Sequence, residues 1–186
     1  TPTLGWMARL PSHMPSWCAL SGTGGYYFPA GSSNLHAAFV SSSGSWSQIN
    51  SGDSGTVYTD NYLKLWFDHG QQPANASYAY VVLPNLSANS VSNYAVNPDM
   101  VIVTNTASVQ AVKKSALGIV AANFWTSGNH SADLISVNSK SSVITWETPT
   151  KVSVGISDPT QTNKSNITVT LNRPAASIFS VDAGVT

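Results

Sequence analysis

Asn166-Ile167-Thr168-Val169-Thr170-Leu171 sets Ile167, Val169 and Leu171 against Asn166, Thr168 and Thr170. Alternation with a period of two places apolar side chains on one face of an extended strand and polar ones on the other. The preceding turn reads Asp158-Pro159-Thr160, residue types that favour chain reversal. The same period recurs in Tyr62–Asp68, where Leu63, Leu65 and Phe67 oppose Tyr62, Lys64, Trp66 and Asp68. Shorter segments of this kind are Tyr26-Tyr27-Phe28, Leu35–Val40, Met100–Val103, Val109–Lys113, Leu117–Phe124, Leu134–Val137, Ser142–Glu147 and Lys151–Ile156. In Ser77–Leu83 the apolar residues Tyr80–Leu83 occupy both faces, which predicts a strand covered on both sides. One helix is expected, over Ser87–Ala95, with Ser87 as its N-cap and Val91 and Tyr94 on its apolar side. Many short strands between turn signals predict an all-β chain of antiparallel β-sandwiches with a single short helix.

Thr1–Leu20 carries three prolines and no periodicity, and Ser12-His13-Met14 looks like an expression-vector scar. That stretch reads as a tail or vector remnant. A boundary is expected near Asn97-Pro98, dividing the remainder into residues 21–97 and 98–186.

The 186 residues are 42% hydrophobic, enough for a real core, but only 9% charged, against about a quarter in ordinary domains. Eight basic and eight acidic residues cancel. With no basic run there is no electrostatic reason to bind nucleic acid or an anionic membrane. No apolar run approaches the roughly 20 residues that span a bilayer, and Thr1–Leu20 has no signal-peptide pattern. The polar surface is instead Ser, Thr, Asn and Gly, as in many extracellular carbohydrate-handling proteins. Cys18 is the only cysteine, which excludes an intrachain disulfide and a thiolate zinc site. No metal or cofactor is called for by any motif; Asp53, Asp60 and Asp99 lack calcium-loop spacing.

Catalytic motifs are sparse. Gly52-Asp53-Ser54-Gly55 matches the surroundings of a serine-protease nucleophile, but none of His13, His36, His69 and His130 has the sequence setting of its base. Glycoside hydrolysis needs two facing carboxylates, and Glu147 is the only glutamate. Asp68-His69 reads as a structural pair after a strand. Six Trp and seven Tyr suit stacking on sugar rings, yet aromatics also fill sandwich cores. Trp66, Trp125, Tyr78 and Tyr80 are expected in the core. Trp46 lies in the polar loop Ser41–Gly55 and reads equally as a ligand contact or a loop anchor.

Several stretches, taken in order, resemble polysaccharide lyase family 8. They are Gly25-Tyr26-Tyr27-Phe28-Pro29, Gly44-Ser45-Trp46-Ser47-Gln48-Ile49-Asn50, and Leu65-Trp66-Phe67-Asp68-His69-Gly70. Pro73-Ala74-Asn75-Ala76-Ser77-Tyr78-Ala79-Tyr80, Leu83-Pro84-Asn85, Asn105-Thr106 and Val109-Gln110-Ala111-Val112 follow. Asn123-Phe124-Trp125 and Ser157-Asp158-Pro159-Thr160-Gln161 are most similar to the xanthan lyase branch. The resemblance covers about Ser21–Leu171.

It implies a secreted enzyme with an α/α toroid, a β-supersandwich and a small C-terminal β-sandwich. The implied chemistry is β-elimination on an acidic polysaccharide: xanthan first, hyaluronate or chondroitin second. Asn neutralises the uronate carboxylate, and Tyr and His act as acid–base groups. Those groups belong to the toroid, which nothing in this chain resembles, so no catalytic residue is assigned here. Residues 21–97 would be the C-terminal part of the supersandwich and 98–186 the small sandwich. The resemblance directs the Trp46 loop toward the substrate cleft, giving Trp46, Gln48 and Asn50 as substrate-binding residues. Strand edges without neighbours would invite homo-oligomerisation. An autonomous carbohydrate-binding module and an independent small hydrolase are the alternative functions.

Overall fold

The computed structural model describes residues 16–29 and 34–186. It divides into two compact units, Thr1–Asn97 and Pro98–Thr186.

The first unit contains β1 (Trp17–Leu20), β2 (Gly24–Tyr27), β3 (Leu35–Gly44), β4 (Tyr58–Phe67), β5 (Val81–Pro84) and the helix α1 (Ala88–Val96). Antiparallel β1-β2-β5 form one sheet, and β3 and β4 form a ten-residue hairpin ladder from Leu35↔Phe67 to Gly44↔Tyr58. Alternation along the hairpin turns Leu35, Ala37, Leu65 and Phe67 toward a small core with Cys18, Phe28 and Tyr26. Ser87 caps α1, its Oγ accepting from the Ser90 amide at 3.2 Å. Val91 is the fully buried residue of the helix. A Cβ on Gly25 would lie 2.6 Å from Val91 Cγ2, so a glycine in β2 is what lets the helix come so close.

The second unit contains β6 (Met100–Asn105), β7 (Val109–Lys114), β8 (Ile119–Phe124), β9 (His130–Ala132), β10 (Ile135–Val137), β11 (Ser141–Glu147), β12 (Val152–Ser157) and β13 (Val169–Leu171). They make two antiparallel sheets, β12-β11-β8-β7-β6 and β13-β10-β9. Between the sheets lie Val109, Ala111, Val120, Ala122, Phe124, Ala132, Leu134, Ile135, Val137 and Val143, with Val169 and Leu171 packed against them. Gly118 closes the β7–β8 turn at φ 64°, and a Cβ there would run into the Glu147 carbonyl oxygen.

Among the described residues the fold is therefore all-β apart from one α-helix and two short 3-10 turns. Three readings of the sequence need correction. Trp17–Leu20 belong to β1, paired with β2 and burying Cys18, not to a tail; residues 1–15 of that stretch lie outside the described residues. A four-residue strand with one buried side chain is too short to show a period. β5 starts at Val81, and only Leu83 is buried, while Tyr80 and Val82 are about half exposed. Among the described residues its second face has no cover. For the same reason Trp66, Tyr78 and Trp125 are solvent-exposed instead of core. Trp66 lies on the hairpin face opposite Leu65 and Phe67, stacked on His36 with centroids 5.4 Å apart and with Lys64 Nζ 5.5 Å from its ring.

Candidate functional site

β3 and β4 are joined by residues 45–57, whose polar side chains bond to one another. Trp46–Gln48 make one 3-10 turn. Gln48 Oε1 accepts from the Ser45 amide at 3.0 Å, and the Ile49 and Asn50 amides donate back to the Trp46 carbonyl at 3.0 and 2.9 Å. Asn50 Nδ2 donates to Asp53 Oδ2 at 2.8 Å, while Asn50 Oδ1 accepts from the Gly52 amide at 3.2 Å. The Ser47 amide donates to the Ser54 carbonyl at 3.2 Å, tying the two sides of the loop together.

The consequence is a preformed platform. Trp46 is 60% exposed and Ile49 81%, and neither is needed to fill a core. Holding an exposed indole on a loop with its own hydrogen bonds removes part of the ordering cost of stacking on a ligand. Gln48 and Asn50, expected beside Trp46 as ligand contacts, have these loop-building bonds as their recorded roles. Ile49, the other large apolar residue of the loop, is joined to Trp46 by a backbone bond and is likewise exposed.

Elsewhere in the chain, polar groups close local structure. Ser54 Oγ donates to Thr56 Oγ1 at 2.8 Å, and the three described histidines meet other groups: His69 bonds with Asn34, His130 with Thr126, and His36 stacks on Trp66. Among the described residues, then, no histidine is bonded to Ser54; His13 lies outside them. Glu147 receives two bonds from Arg173, at 2.7 and 3.1 Å. These bonds, ahead of Arg173's charge, hold its carboxyl below the ordinary range. Asp133 pairs with Lys113 and Asp99 with Lys114. Asp68 Oδ1 accepts from the Gly70 amide, making a turn. Asp158 accepts from Asn163 and Thr160, chiefly the Asn163 backbone, and is lowered to about 2. Each of these carboxylates thus has a cation or a hydrogen-bond donor of its own. Among the described residues no three His, Cys, Asp or Glu side chains gather as a metal site.

Aromatic rings form a second surface feature. Phe67, His69 and Tyr78 form a triangle of rings with centroids 6.3, 5.6 and 6.3 Å apart, and Tyr78 stacks on Tyr80 at 6.4 Å. Tyr78 and Tyr80 are more than half exposed.

Among the described residues the chain is two antiparallel β units, the first of which presents Trp46 on a loop closed by its own hydrogen bonds. Residues 3–95 match the super-sandwich domain of polysaccharide lyase family 8, and residues 101–168 match that family's C-terminal beta-sandwich domain. The chain belongs to polysaccharide lyase family 8. A xanthan lyase of Bacillus sp. (strain GL1) is 44% identical over 165 residues, 87% of this chain and 18% of that protein. A hyaluronate lyase of Thermasporomyces composti is 34% identical, covering 100% of this chain and 23% of its own length. Among solved structures, Paenibacillus xanthan lyase superposes with a TM-score of 0.78 at 40% identity, over 85% of this chain and 15% of that one. Streptomyces coelicolor A3 chondroitin AC lyase in complex with chondroitin sulphate gives 0.79 at 27%, over 92% and 23%. The chain thus spans less than a quarter of the length of each of these relatives.

Proposed function

We propose that this chain is the β-domain part of an exported lyase that cleaves an acidic polysaccharide by β-elimination, xanthan before hyaluronate or chondroitin. Its role there is to support the catalytic domain and to supply one wall of the substrate cleft through Trp46. The observation that carries the reading is the 44% identity to a xanthan lyase over a length that includes both units. The self-bonded loop supports the binding role, since an exposed indole held in one place offers a flat face to a sugar ring. Local pairing of Glu147, Asp99, Asp133 and Asp158 supports placing the chemistry outside these residues.

The test is to incubate the full-length gene product with xanthan, hyaluronate and chondroitin and follow the ultraviolet absorbance of the unsaturated uronate. Fastest product formation on xanthan is expected. Absence of absorbing product from all three polysaccharides would refute the proposal.

A further inference from the structure

The outer face of the five-stranded sheet in the second unit carries a pattern that the Trp46 loop does not explain. Strand register aligns Ser157, Ser142, Asn123, Gln110 and Asn105 in one row across β12, β11, β8, β7 and β6. Every member is a hydroxyl or an amide. The next row on the same face is Gly155, Ile144, Ala121, Val112 and Ile102, which is wholly apolar. Ile144 packs close over Gly155, its Cγ2 3.1 Å from where a Cβ would stand, and Asn123, Ser142, Ile144, Gly155 and Ser157 line a shallow groove of about 300 Å³ there.

The polar row is held in place. Ser142 Oγ donates to Asn123 Oδ1 at 2.7 Å, and Trp125 Nε1 donates to Gln110 Oε1 at 3.2 Å. This second bond fixes an indole that is 46% exposed. Neighbouring strands are about 4.8 Å apart, so the row extends for roughly 19 Å. None of the five residues is charged, and the only charged residue next to any of them in sequence is Asp158, after Ser157. Its carboxylate, held low by its own turn, is ionised at neutral pH and repels an anionic sugar at that end.

We propose that this groove binds an uncharged, extended stretch of polysaccharide, lying across the strands. Its hydroxyls would meet the Ser, Asn and Gln row, and its ring faces would meet Ile144 and the indole of Trp125. An extended chain suits a row that runs straight across the strands, and an uncharged row favours neutral hexoses over uronates. For its ligand class the proposal rests on the polysaccharide reading above, but it concerns binding and not cleavage, and residues of the second unit only.

The test is amide chemical-shift mapping on the intact 186-residue chain, titrated with cellohexaose and, separately, with a hyaluronate hexasaccharide. Saturable shifts at Asn123, Ser142, Gly155 and Ser157 with cellohexaose, and at least about fivefold weaker ones with hyaluronate, are expected. Gly155→Val sets a branched side chain against Ile144 Cγ2, 3.1 Å from the added Cβ, and so alters the groove from an edge strand without removing a polar group; it should weaken binding at least about fivefold, and Asn123→Ala should do the same. Shifts confined to residues 45–55 would overturn the groove while leaving the Trp46 reading intact. Equal binding of both sugars at the groove would overturn its neutrality. Shifts at Ile102, Val112 and Ile144 that depend on protein concentration, with no sugar present, would mean that the apolar row meets a second copy, and would also overturn the proposal.

Discussion

Arg173, two residues beyond β13, donates from Nε and Nη2 to the two carboxylate oxygens of Glu147, at the end of β11, at 2.7 and 3.1 Å. The bond joins the ends of strands from the two sheets of the second unit and occupies the only glutamate in the chain. Both side chains are over a third exposed, so the pair contributes little stability and is screened by salt. Glu147→Gln is therefore expected to lower the melting temperature by a few degrees at most, less in high salt, and to leave unchanged the elimination proposed for the full-length protein. Thermal unfolding at two ionic strengths and an elimination assay check both halves. Loss of activity would give Glu147 a part in the chemistry and contradict the proposed placement of the catalytic groups.

Asp158 supplies the pH dependence. Its folded carboxyl is lowered to about 2, first by the Asn163 amide and next by the Thr160 hydroxyl. A group depressed in the folded state contributes stability above its unfolded value and loses it as pH falls toward the folded one. The second unit should therefore lose stability between about pH 4 and about pH 2. Asp158→Ala should flatten that part of the curve. Denaturant midpoints measured through this range would reveal an unchanged slope if the turn plays no part.

Cys18 tests whether β1 is part of the fold. Burial pushes its thiol up to about 11, against a smaller opposing effect of a backbone bond from Tyr26. A thiol kept protonated and out of solvent reacts slowly. Native protein at neutral pH should react with a thiol reagent only as fast as it unfolds, and at once in denaturant. Above the unfolded thiol's value of about 8.5, unfolded chains ionise while folded ones do not, so stability should fall with rising pH. Instant labelling of native protein would mean that Trp17–Leu20 do not pack.

The two hairpin tryptophans separate stability from binding. Trp46→Ala should leave the melting temperature nearly unchanged, because the loop's hydrogen bonds do not involve the indole. It should raise the KM of the full-length enzyme about fivefold, the effect of one stacked ring at about 1 kcal/mol. Trp66→Ala should cost only about 1–2 kcal/mol, for its stack on His36 and its contact with Lys64. Leu35→Ala, in the core, should cost about 2–5 kcal/mol. Denaturation of the three variants orders them, and a Trp46→Ala protein that unfolds first would make the indole an anchor.

Much of the architecture was legible because burial follows period. Val109, Ala111, Val120, Ala122 and Phe124 alternate strictly, and Ser87 announces α1 by its cap. The misses share a cause. β1 and β9 have four and three residues, too few for alternation to register. Trp66, Tyr78, Tyr80 and Trp125 are large and aromatic, and residue type alone cannot report that a sheet face lacks cover among the described residues. Trp46 was legible as the odd residue in a polar loop. The bonds of Gln48 and Asn50 were not, because a side-chain amide suits a sugar hydroxyl and a neighbouring backbone group equally well.

The most direct measurement is the elimination assay on the purified 186-residue chain, beside the same residues within the full-length protein. The chain alone should yield no unsaturated uronate from xanthan, hyaluronate or chondroitin, and the full-length protein should yield it from xanthan. Absorbing product that grows with the concentration of the isolated chain, and survives repurification, would contradict the assignment of the chemistry to another domain.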